Sequence, residues 1–282
     1  MTIVARRKVL ITGAAGGMGR ACAQLFGATH DLVLTDVVQE KLDAFADELR
    51  AGGHIVSAYA GDMMDDAHLQ KLAGELGGGS PFSVIHTAGL SPALADWKAI
   101  MQVNLVASEK LMNALDPVLV SGCVVVPIAS MAGHMMPVIP EVDALLQKPL
   151  DSGYVDAIGK AIEGMSSGNN SVMDQGGVSY SLSKRGIHLL TERKAIEWGP
   201  RGVRVISISP GVIHTPMGLM EKENTPGALE LIEAAPIGRI GTPMDVATCA
   251  RFLCSEDASY ITGSDVKVDG GSTCVIMGPG AD

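Results

Sequence analysis

Seven short apolar runs punctuate the chain: Val9 to Thr12, Leu32 to Thr35, Ile55 to Tyr59, Ser83 to His86, Cys123 to Val126, Val203 to Ile208 and Val266 to Val268. Most are apolar at successive positions, the pattern of parallel strands covered on both faces. Between them, apolar residues recur at helical spacing, as in Gln39 to Arg50, Ala67 to Leu76 and Ser179 to Trp198. Strands alternating with helices predict one α/β domain of the doubly wound Rossmann type over residues 1–282. Its parallel sheet should have about seven strands, with helices on both faces. The alternation breaks once. At about 131–179 no strand-like run appears, and the segment is rich in Met, Gly, Ser and Asn, with one short helical pattern from Ala157 to Met165. So long a connection is expected to be an inserted loop or helical segment with a function, not a separate domain.

Composition narrows the classes. Hydrophobic residues make up 47% of the 282 and charged residues 18%, which can fill a core and excludes a disordered chain. The formal net charge of −10 leaves no basic field for nucleic acid. The five cysteines (Cys22, Cys123, Cys249, Cys254 and Cys274) form no C-x-x-C pair or metal-like cluster. They read as reduced, buried thiols of a cytoplasmic protein. No signal-peptide core precedes the first strand. The charge-free stretch from Pro117 to Pro140 holds four prolines and two glycines, poor material for a membrane helix. A buried strand and a loop account for it, so a soluble protein is expected.

Chemistry first shows at the end of the first strand, in Thr12-Gly13-Ala14-Ala15-Gly16-Gly17-Met18-Gly19 followed by a helical pattern. Glycines there let backbone N–H groups approach a pyrophosphate at a helix N-terminus, where the helix dipole favours negative charge. The second strand ends in Asp36, 17 residues beyond Gly19, near the offset of a ribose-binding acid. A carboxylate there accepts hydrogen bonds from ribose hydroxyls and repels a 2′-phosphate, and no Arg or Lys follows directly. NAD is therefore expected over NADP, with a helix-capping role for Asp36 as the plain alternative.

With these motifs in view the sequence resembles the short-chain dehydrogenase/reductase family. The glycine turn, His86-Thr87-Ala88-Gly89 in the place of the family's Asn-Asn-Ala-Gly, Asn104, Ser130, Tyr180-x-x-x-Lys184 and Pro210-Gly211-Val212-Ile213-His214-Thr215-Pro216 follow in the family's order. The resemblance implies a catalytic set of Asn104, Ser130, Tyr180 and Lys184. It further implies cofactor contacts at Gly13, Gly17, Met18, Gly19, Asp36, Asp62, Ala88, Gly89, Tyr180, Lys184, Pro210, Gly211 and Thr215. Asp62 would touch the adenine, with a helix cap as its alternative. Thr215 would bond the nicotinamide carboxamide, with a simple turn as its alternative.

Tyr180 and Lys184 are one helical turn apart and share a face. Tyrosine alone titrates near 10, and a neighbouring ammonium with a cationic nicotinamide favours its phenolate. Ser130 would hydrogen-bond the substrate oxygen. By resemblance, Lys184 also holds the nicotinamide ribose and Asn104 positions a water in a proton relay. The separation of Ser130 and Tyr180, 50 residues where the family usually has about a dozen, and the tail from Gly270 to Met277 resemble the 3α-hydroxysteroid dehydrogenase/carbonyl reductase group.

The long connection offers Met131, Met135, Met136, Val138, Ile139, Leu145, Leu146, Tyr154 and Met165, and the loop after Thr215 adds Met217, Leu219 and Met220. They read either as an adaptable wall for a bulky, cyclic secondary alcohol or as packing and oligomer contact. His134 and His214 are read as local hydrogen-bonding residues, and no metal site is visible. The expected partners are a small-molecule substrate and further copies of the chain, as a dimer or tetramer, with no nucleic acid or membrane. An NADPH-dependent 3-oxoacyl or general carbonyl reductase and a non-catalytic dinucleotide sensor are the alternatives.

Overall fold

Alternation of apolar runs and amphipathic helices produces a parallel sheet with a helical layer on each face. A computed structural model describes residues 6–167, 174–218 and 235–278. The strands are β1 (Lys8–Thr12), β2 (Asp31–Asp36), β3 (Val56–Ala60), β4 (Ser83–His86), β5 (Val124–Pro127), β6 (Arg204–Val205), β7 (Ser207–Pro210) and β8 (Asp265–Val268). Six of them pair in the order β3-β2-β1-β4-β5-β6, all parallel, and β7 pairs with β8 in a two-stranded ladder. The reversal of direction between β1 and β4 is the doubly wound switch point.

The run from Val203 to Ile208 thus serves two partners. Ile206 N–H donates to Val125 at 3.1 Å while Ser207 N–H donates to Ser264 at 3.1 Å, since successive amides of a strand point to opposite sides. A bridge between Ile128 and Ile208 joins the ladder to the sheet. The sheet proper therefore has six strands where about seven were expected.

Strand period two sorts the core. Leu10, Val33, Val84 and Val125 join one buried cluster, and Val9, Ile11, Leu32, Leu34, Ile85 and Val126 join the other. On the second face lie α1 (Gly17–Gly27), α2 (Gln39–Ala51) and, near the C-terminus, the helix Pro243–Cys254. The first face carries α3 (Asp66–Leu76), a segment made of α4 (Trp97–Met101), the π-turn Gln102–Val106 and α5 (Ala107–Leu115), and the long helix Gln175–Trp198.

The insertion is helical. After a 3₁₀ turn at Met131–Gly133 come α6 (Pro140–Leu146), which the sequence pattern did not suggest, and α7 (Tyr154–Ser166), which covers the expected Ala157 to Met165. Among the described residues the helices after α7 are, in chain order, α8 (Gln175–Trp198), α9 (Pro243–Cys254) and α10 (Ser272–Met277). Val142, Leu146, Tyr154, Ile158 and Ile162 are buried in one cluster with Val178 and Leu182 of α8. The Arg185 guanidinium of α8 grips both oxygens of Asp143 on α6, at 2.7 and 2.5 Å, a bidentate geometry that fixes orientation. The insertion is docked on α8.

Among the cysteines, Cys22, Cys123 and Cys254 are buried, Cys249 is half-buried and Cys274 is exposed. Burial pushes the Cys22 and Cys254 thiols up to about 12, as in inert structural thiols. The expectation of uniformly buried thiols fails at Cys274, which projects from the short C-terminal helix α10. No helix among the described residues is long and apolar enough to cross a membrane.

Candidate active site

The glycine turn runs from β1 into α1, and its glycines stand where side chains would collide. Gly13 has φ +61°, and a Cβ there would lie 2.9 Å from the Ala88 backbone; at Gly19 it would lie 2.2 Å from the Gly13 carbonyl oxygen. At Gly17 it would meet Thr215 Cγ2 at 2.6 Å. The turn after β1, the Ala88-Gly89 corner after β4 and the Thr215 loop after β7 therefore converge. Helix α1 has Gly16 as its N-cap, with no side-chain cap hydrogen bond and no acid in its first turn. Its first amides are unclaimed by side chains, and this chemistry fits the pyrophosphate of a dinucleotide.

Asp36 closes β2 beside that turn. Its carboxylate accepts hydrogen bonds from Ala15 N at 3.0 Å and Val38 N at 3.2 Å. It supports the glycine turn and does not act as the N-cap of α2, which is Val38. Val37 and Val38 follow it, 70% and 41% exposed, and bring no cation. Asp62 is exposed and accepts from Met64 N at 2.8 Å, while the cap of α3 is Asp65. Its neighbour Gly61 donates to the Asp36 carbonyl at 3.0 Å, so both acids flank the same end of the sheet.

The catalytic candidates gather beyond the C-terminal end of β5. Lys184, 7% exposed, donates from Nζ to the Ile128 carbonyl at 2.9 Å and lies 5.7 Å from the Tyr180 ring centre. Ser130 caps the 3₁₀ turn and accepts from Ala132 N at 3.2 Å, which leaves its hydroxyl proton to donate. A Cβ on Gly133 would lie 2.8 Å from both Lys184 C and Arg185 N. Only glycine lets the loop of Ser130 press so closely on α8.

Asn104 sits in the π-turn, 2% exposed; π-bulges recur at functional sites. Its carboxamide clamps Leu90, accepting from N at 2.7 Å and donating to O at 3.0 Å, and donates to Ser183 Oγ at 3.1 Å. Ser183 in turn donates to the Tyr180 carbonyl at 2.7 Å. The side chain ties the π-turn to α8. Gly89 lies alongside, since a Cβ there would be 3.2 Å from Asn104 Oδ1 and 3.6 Å from Lys184 Nζ.

His86 does more than its place in the motif suggested. Thr12 Oγ1 accepts from Ala88 N at 3.2 Å and lies 2.7 Å from His86 Nδ1, to which it donates when the imidazole proton is on Nε2. Ser108 donates to the Asn104 carbonyl at 2.6 Å and so accepts from His86 Nε2 at 2.8 Å. The Ser108 end selects the tautomer with its proton on Nε2, and Thr12 completes it by donating to Nδ1. Burial, with the Lys184 charge adding to it, holds the imidazole down to about 3. A wire thus runs from the glycine turn to the π-turn; Thr12, His86 and Asn104 stood in motifs legible from sequence, whereas Ser108 and the link itself did not.

Pro210 ends β7, Gly211 donates to Val268 at 3.0 Å, and buried Thr215 accepts from Gly218 N at 3.0 Å. His214 is exposed, while His134 bonds Asp265 at 2.7 Å. Met18 is half-buried at the start of α1. Of the apolar insertion residues, Met136, Leu146 and Tyr154 belong to the core, whereas buried Met131 belongs to neither core cluster. Met135 is half-buried and Val138 exposed. Leu219 and Met220 lie outside the described residues.

The geometry defines a dinucleotide-binding oxidoreductase, and comparison with known proteins makes the class specific. Residues 7–140 match the family described as short chain dehydrogenase, and residues 150–273 match the one described as enoyl-(acyl carrier protein) reductase. Oxidoreductase UcpA of Salmonella typhimurium is 30% identical over 277 residues, 95% of this chain and 94% of its own. A galactitol 2-dehydrogenase (L-tagatose-forming) of Cereibacter sphaeroides is 29% identical over 93% of each chain. Among solved structures, a 3-oxoacyl-[acyl-carrier protein] reductase with bound NAD from Brucella melitensis superposes with a TM-score of 0.70 at 27% identity, covering 95% of this chain and 91% of that one. The chain belongs to the short-chain dehydrogenase/reductase family, as an oxidoreductase that binds a nicotinamide dinucleotide.

Proposed function

We propose that the protein is an NAD(H)-dependent dehydrogenase that interconverts a secondary alcohol and a ketone, acting on a bulky, cyclic substrate and working as a cytoplasmic homo-oligomer. The observation that carries the cofactor choice is Asp36, whose carboxylate is pinned beside the glycine turn by Ala15 and Val38. A 2′-phosphate would meet that negative charge with no cation to offset it. Gly13, Gly17, Met18, Gly19, Ala88, Gly89 and Thr215 would hold the dinucleotide, which supplies the hydride acceptor when bound.

The chain's own residues handle the proton. Ser130 donates its hydroxyl to the substrate oxygen and orients the carbinol. Tyr180 accepts the alcohol proton at its hydroxyl oxygen during oxidation and returns it during reduction. Lys184, held by the Ile128 carbonyl, keeps a positive charge beside Tyr180 that favours the phenolate. Asn104 fixes the π-turn against Leu90 and Ser183 and so positions α8.

Met131, next to Ser130 and outside the core clusters, with Met135 and Val138, supports an adaptable apolar wall. The long connection from Ser130 to Tyr180 supports a likeness to the hydroxysteroid dehydrogenase/carbonyl reductase group. Exposed Ile196 on α8 and Phe252 on α9 supply apolar surface for self-association. A polyol is the second reading, favoured by the galactitol dehydrogenase relative. Initial rates with hydroxysteroids, monocyclic alcohols, polyols and hydroxyacyl thioesters, each with NAD⁺ and NADP⁺, test the proposal. Turnover confined to cyclic alcohols with NAD⁺ is expected; a preference for polyols would replace the substrate reading, and a preference for NADP⁺ would overturn the cofactor reading.

A further inference from the structure

Three residues far apart in sequence meet behind the catalytic loop. His134 ends the 3₁₀ turn that begins after Ser130, His188 lies on α8 one turn beyond Lys184, and Asp265 opens β8. His134 Nε2 lies 2.7 Å from Asp265 Oδ2, and His188 Nε2 lies 3.5 Å from Asp265 Oδ1. The two imidazoles are 4.3 Å apart between centres and tilted by 36°. One ligand atom from each residue falls within 4.8 Å of the other two. Donors sharing one tetrahedral Zn²⁺ at about 2.0–2.2 Å stand about 3.3–3.6 Å apart, so side-chain rotations that move the donor atoms by about 1 Å would complete the set.

We propose that His134, His188 and Asp265 form a binding site for a divalent transition-metal ion of the Zn²⁺ class. Two imidazoles and a carboxylate are a donor set for zinc and its neighbours, not for Mg²⁺ or Ca²⁺. Three protein ligands leave a coordination position for water, and the His134 side chain, 29% exposed against 8% for His188, gives the ion a way in. The outer shell is built as well. Ser207 donates to Asp265 Oδ1 at 2.6 Å, and such a partner orients a carboxylate ligand; Ser209 Oγ, 2.9 Å from His188 Nε2, would give up that contact to the ion.

The placement gives the ion a consequence. It would tie the loop of Ser130 to the helix of Tyr180 and Lys184 and to the last strand. It would also strengthen the close approach that Gly133 makes to Lys184 and His188. The site involves neither substrate nor dinucleotide, so its test is independent of the proposed reaction.

Full-length protein stripped with a chelator and dialysed is titrated by calorimetry with Zn²⁺ and, separately, with Mg²⁺. The proposal expects one Zn²⁺ per chain, no Mg²⁺ binding, and a rise in Tm with Zn²⁺. The part-exposed ligand His134 is replaced by His134→Ala, which should weaken Zn²⁺ binding by about 100-fold or more, since loss of outer-shell partners alone costs 10–100-fold. Co²⁺ gives a second readout, the visible bands of a low-coordinate ion with nitrogen and oxygen donors, present in wild type and absent in His134→Ala. Unchanged Zn²⁺ affinity in that variant, or no Zn²⁺ binding by wild type, would overturn the site and leave a hydrogen-bonded triad only.

Discussion

Acid should destabilise this protein in part through the buried His86 imidazole, and His86→Asn should remove that share of the sensitivity. His86 in the folded chain stays neutral down to about pH 3, whereas the unfolded residue takes up a proton near 6.5. Its contribution is complete above pH 6.5 and shrinks as pH falls toward 3, because the unfolded state then binds the extra proton. At pH 5 the unfolded imidazole is favoured by about 1.5 pH units at about 1.4 kcal/mol each, a loss of about 2 kcal/mol relative to pH 7.5. Asparagine has no such proton, but it is too short to keep both the Thr12 and Ser108 contacts. The variant should be less stable by about 1 kcal/mol at pH 7.5, the value of a lost hydrogen bond. Near pH 5 it should be the more stable of the two by about 1 kcal/mol. Urea unfolding of both proteins from pH 5 to 8, followed by the fluorescence of fully buried Trp198, measures the difference. The two stability curves should cross. Parallel curves would show that His86 is not buried neutral in this wire, and the fixed tautomer linking the glycine turn to Asn104 would be lost with it.

Two further substitutions probe the cofactor cleft. Asp36→Ala should shrink the ratio of kcat/KM for NAD⁺ over NADP⁺ by about 1–3 kcal/mol, through lost hydrogen bonds and lost repulsion; an unmoved ratio would remove Asp36 from cofactor choice. Gly19→Ala places a methyl 2.2 Å from the Gly13 carbonyl oxygen and should weaken NADH binding, read by fluorescence titration, by about 10-fold or more.

Much of this architecture is written in strand-length apolar runs. Buried parallel strands need apolar residues on both faces, so β1, β2, β4 and β5 were legible almost to the residue. The split of the run after Val203 was not, because hydrophobicity does not say which neighbour each amide faces. Helix α6 escaped because its seven residues start at Pro140 inside a Pro- and Met-rich stretch with no full helical period. Glycine spacing, Asp36 and the Tyr180–Lys184 pair stood out because each is local in sequence. The His86 wire and the group of His134, His188 and Asp265 draw members from β1, β4, α5, α8 and β8. No spacing rule links residues that meet only when the sheet folds. Burial of Leu146 and Tyr154 was equally hidden, since an apolar residue reads alike whether it faces a substrate or a helix.

Tyr180→Phe tests the central claim most directly, because it deletes one hydroxyl and leaves the ring, Lys184 and the glycine turn in place. Absorbance of NADH is followed with wild type and variant on whichever secondary alcohol wild type oxidises, and NADH binding is titrated in parallel. Loss of turnover with unchanged NADH affinity is the expected result. A variant that still oxidises the alcohol at the wild-type rate would contradict the assignment of the proton transfer to Tyr180.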